Sequence, residues 1–335
     1  ASNNHCTETA MRELPLPTMP LADLPATPSV APRAARRSLH PGSDGTRERS
    51  RTGFQVVWAR TEEDVRAAQR LRHEVFAEEM GARLSVPHGS PAGHDIDLFD
   101  PYCEHLLVRL EGADGEPGEV IGTYRVLTPD AARRVGGLYS ETEFDLTRLR
   151  HLRGKMVELG RSCVHPDHRT GGAIMALWGA LAEFMVRNQL DTMIGCASIS
   201  MRDGGHVAAS LWEQLRHSHL ASIDLQVRPR LPLPVDELDR HLQVEAPALI
   251  KGYLRVGAKV LGAPAWDPDF NTADLPMLMR IEDLPAVQAR LMRMSYFEAK
   301  SHQEIADELQ MPLGTVKSHL RRAFLRLQGQ VRGQS

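Results

Sequence analysis

The feature that most constrains this chain is a pair of glycines placed between a predicted strand and a predicted helix. Apolar residues at short spacing within residues 157–164 predict a buried strand. After Gly171 and Gly172, apolar residues recur at helical spacing as far as Met185, which predicts an amphipathic helix. The segment therefore predicts a strand, a tight loop and a helix in direct succession.

A loop of this kind is suited to binding an anion. The glycines lie at the predicted helix N-terminus, where unpaired backbone N–H groups and the positive end of the helix dipole favour a phosphate. Because glycine carries no side chain, the phosphate can approach the backbone closely. Arg169 adds a bidentate cationic donor just before the pair. A tight strand-to-helix turn that binds nothing remains the alternative.

The composition is that of a globular protein. Of the 335 residues, 42% are hydrophobic and 25% are charged, and the formal net charge is -3. We find no run of 18 or more apolar residues and no positively charged, apolar leader, so we expect a cytoplasmic protein. The four cysteines show no pairing motif and no metal-ligand spacing, which argues against structural zinc and against a disulfide framework.

Residues 1–53 are predicted to be a disordered leader, because prolines recur too often for a long helix or strand. The leader also carries a group of arginines: Arg33, Arg36, Arg37, Arg47, Arg49 and Arg51. A solvated linker is the favoured interpretation of these arginines. Contact with the anionic surface of the inner membrane is the alternative.

The folded part is predicted to begin with a strand at residues 54–59 and a helix capped by Thr61. Two apolar runs, 105–110 and 120–127, are separated by glycines and a proline and predict a hairpin. The loop between the first helix and this hairpin, 84–100, contains one histidine and three aspartates that could be metal ligands: His94, Asp95, Asp97 and Asp100. Turn chemistry and solvation are the favoured interpretation of these acids, and no metal site is predicted.

Several motifs resemble known acyltransferases. Residues 168–173 resemble the loop with which GNAT-type acyltransferases grip the pyrophosphate or phosphopantetheine of the donor, although His168 stands where that loop has Gln or Arg. Further segments recur, in the same order, in acyl-homoserine-lactone synthases and ornithine N-acyltransferases: 72–76, 97–100 followed by 105–108, 122–127 and 158–161. Residues 247–255 and 264–274 resemble the ornithine N-acyltransferases specifically.

The resemblance covers about residues 54–283 and implies an α/β fold of GNAT type, a mixed twisted sheet with flanking helices. From residue 284 the pattern changes to an apolar-periodic helix, 284–299, followed by two capped helices around a turn at Pro312 and Gly314. This part resembles the fourth region of extracytoplasmic-function sigma factors and predicts a small all-α helix-turn-helix domain, 284–335. Its expected DNA contacts are Thr315, Lys317, Ser318, Arg321 and Arg322. Nothing resembles the polymerase-binding second region, so a working sigma factor is not expected.

The resemblance also implies roles for individual residues of the acyltransferase part. We expect Glu158 and Arg161 to be catalytic, with Glu158 accepting the proton of the amine and Arg161 orienting it. Expected to hold the donor phosphate are Val164, Arg169, Gly171, Gly172 and Ala173. Expected around the substrate pocket are Arg72, Asp97, Asp100 and Arg125. A structural network of ion pairs is the alternative for these charged residues.

Two other residues compete for chemical roles. His165 is a rival base, and Cys163 would permit a covalent acyl-enzyme, although a lone cysteine in a strand is more often buried and inert. Asp267, Asp269 and Asp274 are candidates for an acidic pocket that receives a cationic amino acid, with turn formation as the alternative. The apolar stretch 191–220 is a candidate wall for an acyl tail, with ordinary core as the alternative.

The implied function is transfer of a 3-hydroxy-fatty acyl group from acyl carrier protein to the α-amine of ornithine, which forms a lyso-ornithine lipid. No cofactor is expected to be bound permanently, since the acyl-phosphopantetheine of acyl carrier protein is the donor. Two alternatives stay open. One is acyl-homoserine-lactone synthesis, against which the segment 264–274 argues. The other is a regulator that binds duplex DNA and senses acyl donors through its GNAT-like domain.

Overall fold

The computed structural model describes residues 53–112, 117–169, 172–280, 302–308, 310 and 312. The strands in this part of the chain are β1 (Phe54–Trp58), β2 (Glu104–Glu111), β3 (Pro117–Leu127), β4 (Phe144–Asp145), β5 (Met156–Val164), β6 (Thr192–Ser200), β7 (Arg228–Pro229), β8 (Lys259–Val260), β9 (Ala265–Asp267) and β10 (Thr272–Arg280). The α-helices are α1 (Glu62–His73), α2 (Pro129–Val135), α3 (Ala173–Arg187), α4 (His206–Ser218), α5 (Ala248–Arg255) and α6 (His302–Glu308).

Helix α1 begins where its capping residues predict. The side chain of Thr61 accepts a hydrogen bond from the Asp64 backbone N–H, and the Asp64 side chain accepts one from Thr61 in return. This reciprocal pair satisfies N–H groups that the first turn of a helix leaves without a partner. The helix continues into a π-helical turn, Glu74–Glu79, so that one continuous helical segment crosses the sheet.

The main sheet is mixed, as predicted. Its strand order is β1-β2-β3-β5-β6-β10-β8, and β9 pairs with β10 at the edge of this path. Strands β5 and β6 are parallel, whereas the other pairs are antiparallel. The predicted hairpin is β2 and β3, and β4 with β7 forms a separate two-stranded sheet.

Helices cover both faces of the sheet. Leu106 and Val108 of β2 pack with α3, whereas Leu107 between them packs with α1. This division follows from the alternation of side chains along a strand. Among the described helices, none has the length and apolar character needed to cross a membrane.

Strand β5 parts from β6 soon after the two begin to pair. The parallel register includes only Met156, Val157 and Glu158, although both strands continue for several residues beyond it. On its other edge β5 stays paired with β3, where Tyr124 stands opposite both Arg161 and Ser162. This excess of one residue is a β-bulge, and Arg161 has a φ of 47°. Strand β5 is therefore splayed away from β6 beyond Glu158.

Gly195 is predicted to be essential at the start of this splay. A Cβ there would lie 2.5 Å from the carbonyl oxygen of Leu159, a backbone atom that cannot move away cheaply. We expect Gly195→Ala to lower the free energy of unfolding by about 1–3 kcal/mol. In Gly179→Ala, the matched control within α3, a Cβ meets nothing within 4 Å, so a gain of about 0.5–1 kcal/mol is expected. Urea denaturation measures both, and equal stability of the two variants would contradict the clash.

Candidate functional site

A cavity of about 230 Å³ opens where β5 leaves β6. The bulged segment of β5, residues 159–162, forms one wall, and Cys196 and Ser198 of β6 form the next. Of the residues in 191–220 predicted to line an acyl channel, these two are at the cavity. Ile194, Ala197, Ile199 and Leu211 are core residues instead.

A buried network of charged side chains lies beside the cavity. Arg72 of α1 is fully buried and binds Asp95 at 2.8 Å and Asp100 at 2.6 Å. Arg125 of β3 binds Asp100 at 2.9 Å and Asp97 at 2.7 Å. Buried charges require such partners because their desolvation is costly. The alternative of a structural ion-pair network is thus realised, and it ties α1, the acidic loop and β3 together.

The acidic loop therefore differs from its predicted state. Asp97 does form the predicted turn, accepting hydrogen bonds from the backbone N–H groups of Phe99 and Asp100. The predicted solvation of these acids is wrong, since Asp95 and Asp100 are each 3% exposed. Burial by itself would raise the pKa of Asp100, but the charges of Arg72 and Arg125 outweigh it and hold that pKa far below its ordinary value.

Arg161 joins the network to the cavity. Its guanidinium lies 3.2 Å from a carboxylate oxygen of Asp95 and 3.3 Å from one of Asp97. It also lies over the rings of Tyr139 and Phe270, 4.8 Å from each centroid. Arg161 and Arg125 line the cavity, whereas Arg72, Asp97 and Asp100 lie behind its wall.

Glu158 also lines the cavity and is almost completely buried, with 4% exposed. Its carboxylate accepts hydrogen bonds from the backbone N–H groups of Tyr139 and Ser140, each at 2.6 Å, and from the Ser140 hydroxyl. Burial raises the pKa of Glu158, and these hydrogen bonds offset part of the rise. The carboxylate thus fixes the turn that carries Tyr139, and Tyr139 in turn contacts Arg161.

The predicted donor-phosphate loop is described in part. Arg169 forms a bidentate ion pair with Glu79, at 2.7 and 2.5 Å, and donates a hydrogen bond to the Val164 carbonyl. Gly172 and Ala173 lead into α3 as predicted, and a Cβ on Gly172 would lie 3.3 Å from the ring of Phe54. Gly171 lies outside the described residues.

Three carboxylates share one corner of the cavity: Glu143, Asp267 and Asp274. Their oxygen atoms lie within 4.8 Å of one another, close enough to share one cation. Asp274 is 4% exposed and its Oδ1 has no hydrogen-bond partner among the described residues, and the same holds for both carboxylate oxygens of Glu143. Asp269, the third acid expected here, is outside the cavity and faces Arg83.

This crowding changes the ionisation of two of the acids. Burial raises the pKa of Glu143 to about 9, and the negative charges of Asp274 and Asp267 add to the rise. Burial, followed by the charge of Asp267, also raises the pKa of Asp274. In the absence of a bound cation, Glu143 therefore keeps at neutral pH a proton that an ordinary carboxyl group loses.

A pair of tyrosines also lines the cavity. The hydroxyls of Tyr124 and Tyr253 hydrogen-bond to each other, and Tyr253 stacks on Trp178 at 5.2 Å. Burial raises the pKa of Tyr124 to about 12, and burial also raises that of Tyr253. Both hydroxyls are therefore protonated at neutral pH.

The two rival residues lie elsewhere. Cys163 is buried and its pKa is raised to about 12 by that burial, so the reactive thiolate needed for an acyl-enzyme is disfavoured. His165 contacts Glu74 at 3.1 Å and is not part of the cavity wall.

Sequence reasoning missed Glu143 and the two tyrosines. Glu143 lies in a polar segment with no periodic pattern, and it meets Asp267 and Asp274 only because distant strands come together. Tyr124 and Tyr253 sit within motifs that the resemblance includes, at 122–127 and 247–255, so those motifs were the available signal.

The pKa of Glu143 predicts how stability depends on pH. The folded pKa, about 9, lies above the ordinary value of 4.5, so the stabilising contribution is complete below about pH 4.5 and is lost as pH rises toward 9. Glu143→Gln removes the charge that must otherwise be buried. As the pH rises from 5 to 9, we expect the free energy of unfolding of the variant to increase by at least about 1 kcal/mol relative to that of the parent.

Urea denaturation at several pH values measures this gain. Asp269→Asn, an exposed acid outside the cavity wall, is the matched control and should leave the pH dependence as it is in the parent. A constant difference between parent and Glu143→Gln across this range would refute the raised pKa.

Two protein-family matches support the fold. The acetyltransferase (GNAT) domain family matches residues 71–179, and the sigma-70, region 4 family matches residues 275–327. A solved structure of FeeM, an N-acyl amino acid synthase from uncultured soil microbes, has a TM-score of 0.42 and 11% identity, covering 71% of this chain and 97% of its own. The predicted GNAT-type fold and the helix-turn-helix segment are confirmed by the two family matches.

Curated relatives decide the family. The L-ornithine N(alpha)-acyltransferase of Rhodobacter capsulatus is 39% identical over 235 residues, which cover 68% of this chain and 89% of the relative. The protein of that name from Agrobacterium fabrum is 36% identical over 238 residues, which cover 68% of this chain and 80% of the relative. The chain is therefore an N-acyltransferase and belongs to the L-ornithine N(alpha)-acyltransferase family.

Proposed function

We propose that this enzyme transfers a 3-hydroxy-fatty acyl group from acyl carrier protein to the α-amine of ornithine, with a lyso-ornithine lipid as product. The observation that carries the proposal is the splay of β5 away from β6 at Glu158, with the cavity opening at that point. A strand that loses its neighbour presents backbone N–H groups to a ligand. The curated relatives, which carry the name of this activity, support the same acceptor.

The splayed strand suits a thioester. Backbone N–H groups of residues 159–162 that face away from β3 would donate to the carbonyl oxygen as it gains negative charge. A bulged strand fixed on one edge by β3 holds those donors in place before the substrate arrives, so little reorganisation is needed in the transition state.

The donor phosphate would bind at the start of α3. Gly172 and Ala173 offer backbone N–H groups there, and Val164 ends strand β5. Gly171, the other expected donor, lies outside the described residues. Arg169 would exchange the Glu79 carboxylate for the phosphate, since both are bidentate acceptors for a guanidinium. In the absence of donor, Glu79 keeps that guanidinium in position.

Proton transfer completes the reaction. Glu158 accepts three hydrogen bonds, which leaves one of the four lone-pair sites of its carboxylate for the amine or an intervening water. The departing thiolate needs a proton, and the protonated Tyr124 and Tyr253 hydroxyls line the same cavity. Arg72, Asp97 and Asp100 act behind the wall, where they position Arg125 and Arg161.

An acyl-transfer assay tests the proposal. Full-length protein with 3-hydroxyacyl carrier protein and L-ornithine should form lyso-ornithine lipid, detected by mass spectrometry. Glu158→Gln should lower kcat at least about 100-fold, because general-base catalysis contributes that much or more. Arg169→Ala should raise KM for the acyl donor about tenfold with little change in kcat, since one phosphate contact is lost.

Arg187→Ala is the matched control for Arg169. Arg187 lies at the far end of α3 and pairs with Glu183, so both kinetic constants should stay at the parental values. Failure of the parent protein to acylate ornithine or any other amino acid would sink the proposed reaction. An unchanged kcat in Glu158→Gln would remove Glu158 from the role of base.

The sigma-70 region 4 match favours a second activity, binding of duplex DNA by the C-terminal part. We propose the boundaries 1–53 for a leader, 54–283 for the acyltransferase domain and 284–335 for the helix-turn-helix domain. Helix α6 coincides with the first of the two capped helices predicted around the turn. The expected contacts, Thr315, Lys317, Ser318, Arg321 and Arg322, lie outside the described residues.

Fluorescence anisotropy with a labelled DNA duplex tests this second activity. Binding should weaken as salt rises, and Arg321→Ala with Arg322→Ala should reduce affinity at least about tenfold at low salt, because two phosphate or base contacts are lost. The acyl-transfer rate of the double variant should equal that of the parent. Binding that is absent in the parent, or unaffected by salt and by the substitutions, would exclude this activity.

A further inference from the structure

Charge is distributed unevenly around the cavity. The two arginines in its wall, Arg125 and Arg161, are neutralised by the aspartates behind them. In contrast, none of the ion pairs that the structure gives for the described residues includes Glu143, Asp267 or Asp274. One end of the cavity is therefore balanced, and the other has three carboxylates without a cation.

The unpaired end has polar atoms that are not satisfied within the protein. Asp274 is almost completely buried, with 4% of its surface exposed, and its Oδ1 has no hydrogen-bond partner in the described chain. The hydroxyl of Thr272, on the same strand and 1% exposed, is also without a partner. Both residues line the cavity. Buried polar atoms are rarely left unpaired, so this corner has the features of a site that a ligand completes.

We propose that Glu143, Asp267 and Asp274 bind the distal ammonium group of the acceptor amino acid and thereby select a diamino acid. This inference rests on the proposed acylation of ornithine. A primary ammonium has three N–H donors and no acceptor, which suits three carboxylates whose oxygens lie within 4.8 Å of one another. Hydrogen bonds between ionised groups are about twice as strong as those between neutral ones.

The acidic corner and the reacting centre belong to the same cavity. Asp274 lies on β10 and Glu158 on β5, with β6 between them. Glu158 pairs with Ile194 of β6 and Asp274 pairs with Ser198, so the two acids are offset by four residues along β6. Both line the cavity, so an acceptor that carries an amine at each end can address both. The α-amine then faces the splay while the distal ammonium faces the carboxylates.

The corner also explains why a neutral side chain would be rejected. An acceptor without the distal amine leaves Asp274 Oδ1, both carboxylate oxygens of Glu143 and the Thr272 hydroxyl without a partner in the described chain. A site built around a hydrogen bond discriminates strongly against an analogue that lacks the bonding group. The carboxylates therefore act on the choice of acceptor, and the bond-forming step stays with the residues at the splay.

Acceptor kinetics test the inference. L-norvaline has the carbon skeleton of L-ornithine without the distal amine. In the full-length parent, kcat/KM for ornithine should exceed that for norvaline at least about 100-fold. Asp274→Asn and Glu143→Gln should each lower kcat/KM for ornithine at least about tenfold and change that for norvaline less than about threefold.

A matched control and a measurement that needs no turnover accompany the kinetics. Asp269→Asn alters an exposed acid next to the corner but outside the cavity, so both acceptors should react as in the parent. L-ornithine should raise the Tm of the parent and of Asp269→Asn, while L-norvaline should not. The Tm shift should be lost in Asp274→Asn and in Glu143→Gln.

Several outcomes would overturn the inference. Equal losses of kcat/KM with ornithine and norvaline would indicate that the carboxylates act on the α-amine instead. Equal kcat/KM of the parent with both acceptors would exclude selection by charge. Loss of transfer after EDTA treatment, restored by a divalent cation, would assign the corner to a metal ion. If the parent acylates no amino acid but ornithine still gives the carboxylate-dependent Tm shift, the proposed reaction fails and the binding site stands.

Discussion

The structure depends on a buried, electrically balanced set of three arginines and three aspartates. Arg72, Arg125 and Arg161 come from α1, β3 and β5, and Asp95, Asp97 and Asp100 come from the loop that precedes β2. Removing one partner from such a set costs about 3–5 kcal/mol, because it leaves an uncompensated charge in the interior. The set therefore holds a helix, a long loop and two strands in one arrangement, and that arrangement forms one wall of the site.

Because the arginines and aspartates of this set neutralise one another, they leave the nearby carboxylates Glu143 and Asp274 without a cationic partner in the described part of the chain. Arg125 and Arg161 line the same cavity as Glu143 and Asp274, but their ion pairs are with Asp95, Asp97 and Asp100. Because the aspartates already occupy them, the acidic corner remains unpaired, and burial with mutual repulsion raises the pKa of both acids. The cavity thus meets the cost of buried charge in two ways: its arginines form ion pairs, and its acids have raised pKa values. The first is completed within the chain, and the second is left for a ligand.

Local pattern was enough to predict most of the framework. The strand at 157–164, the cap at Thr61 and the β2–β3 hairpin depend on spacing and composition within a short window. The acidic corner could be predicted only for Asp267 and Asp274, because Glu143 reaches it through tertiary packing that no short window records. For the same reason, the charged loop looked solvated, since its arginine partners lie on other elements.

The bulge at Arg161 shows how a single local irregularity determines the chemistry. Side chains three residues apart on a regular strand point to opposite faces, so Glu158 and Arg161 should not share a cavity. One extra residue in β5 opposite Tyr124 shifts that alternation, and both side chains line the same wall. The bulge lies three residues beyond Glu158, where the pairing with β6 ends, so β5 loses that neighbour and reverses its side-chain alternation within one short segment. Side-chain chemistry and exposed backbone donors therefore converge on one point of β5, which a regular strand could not provide.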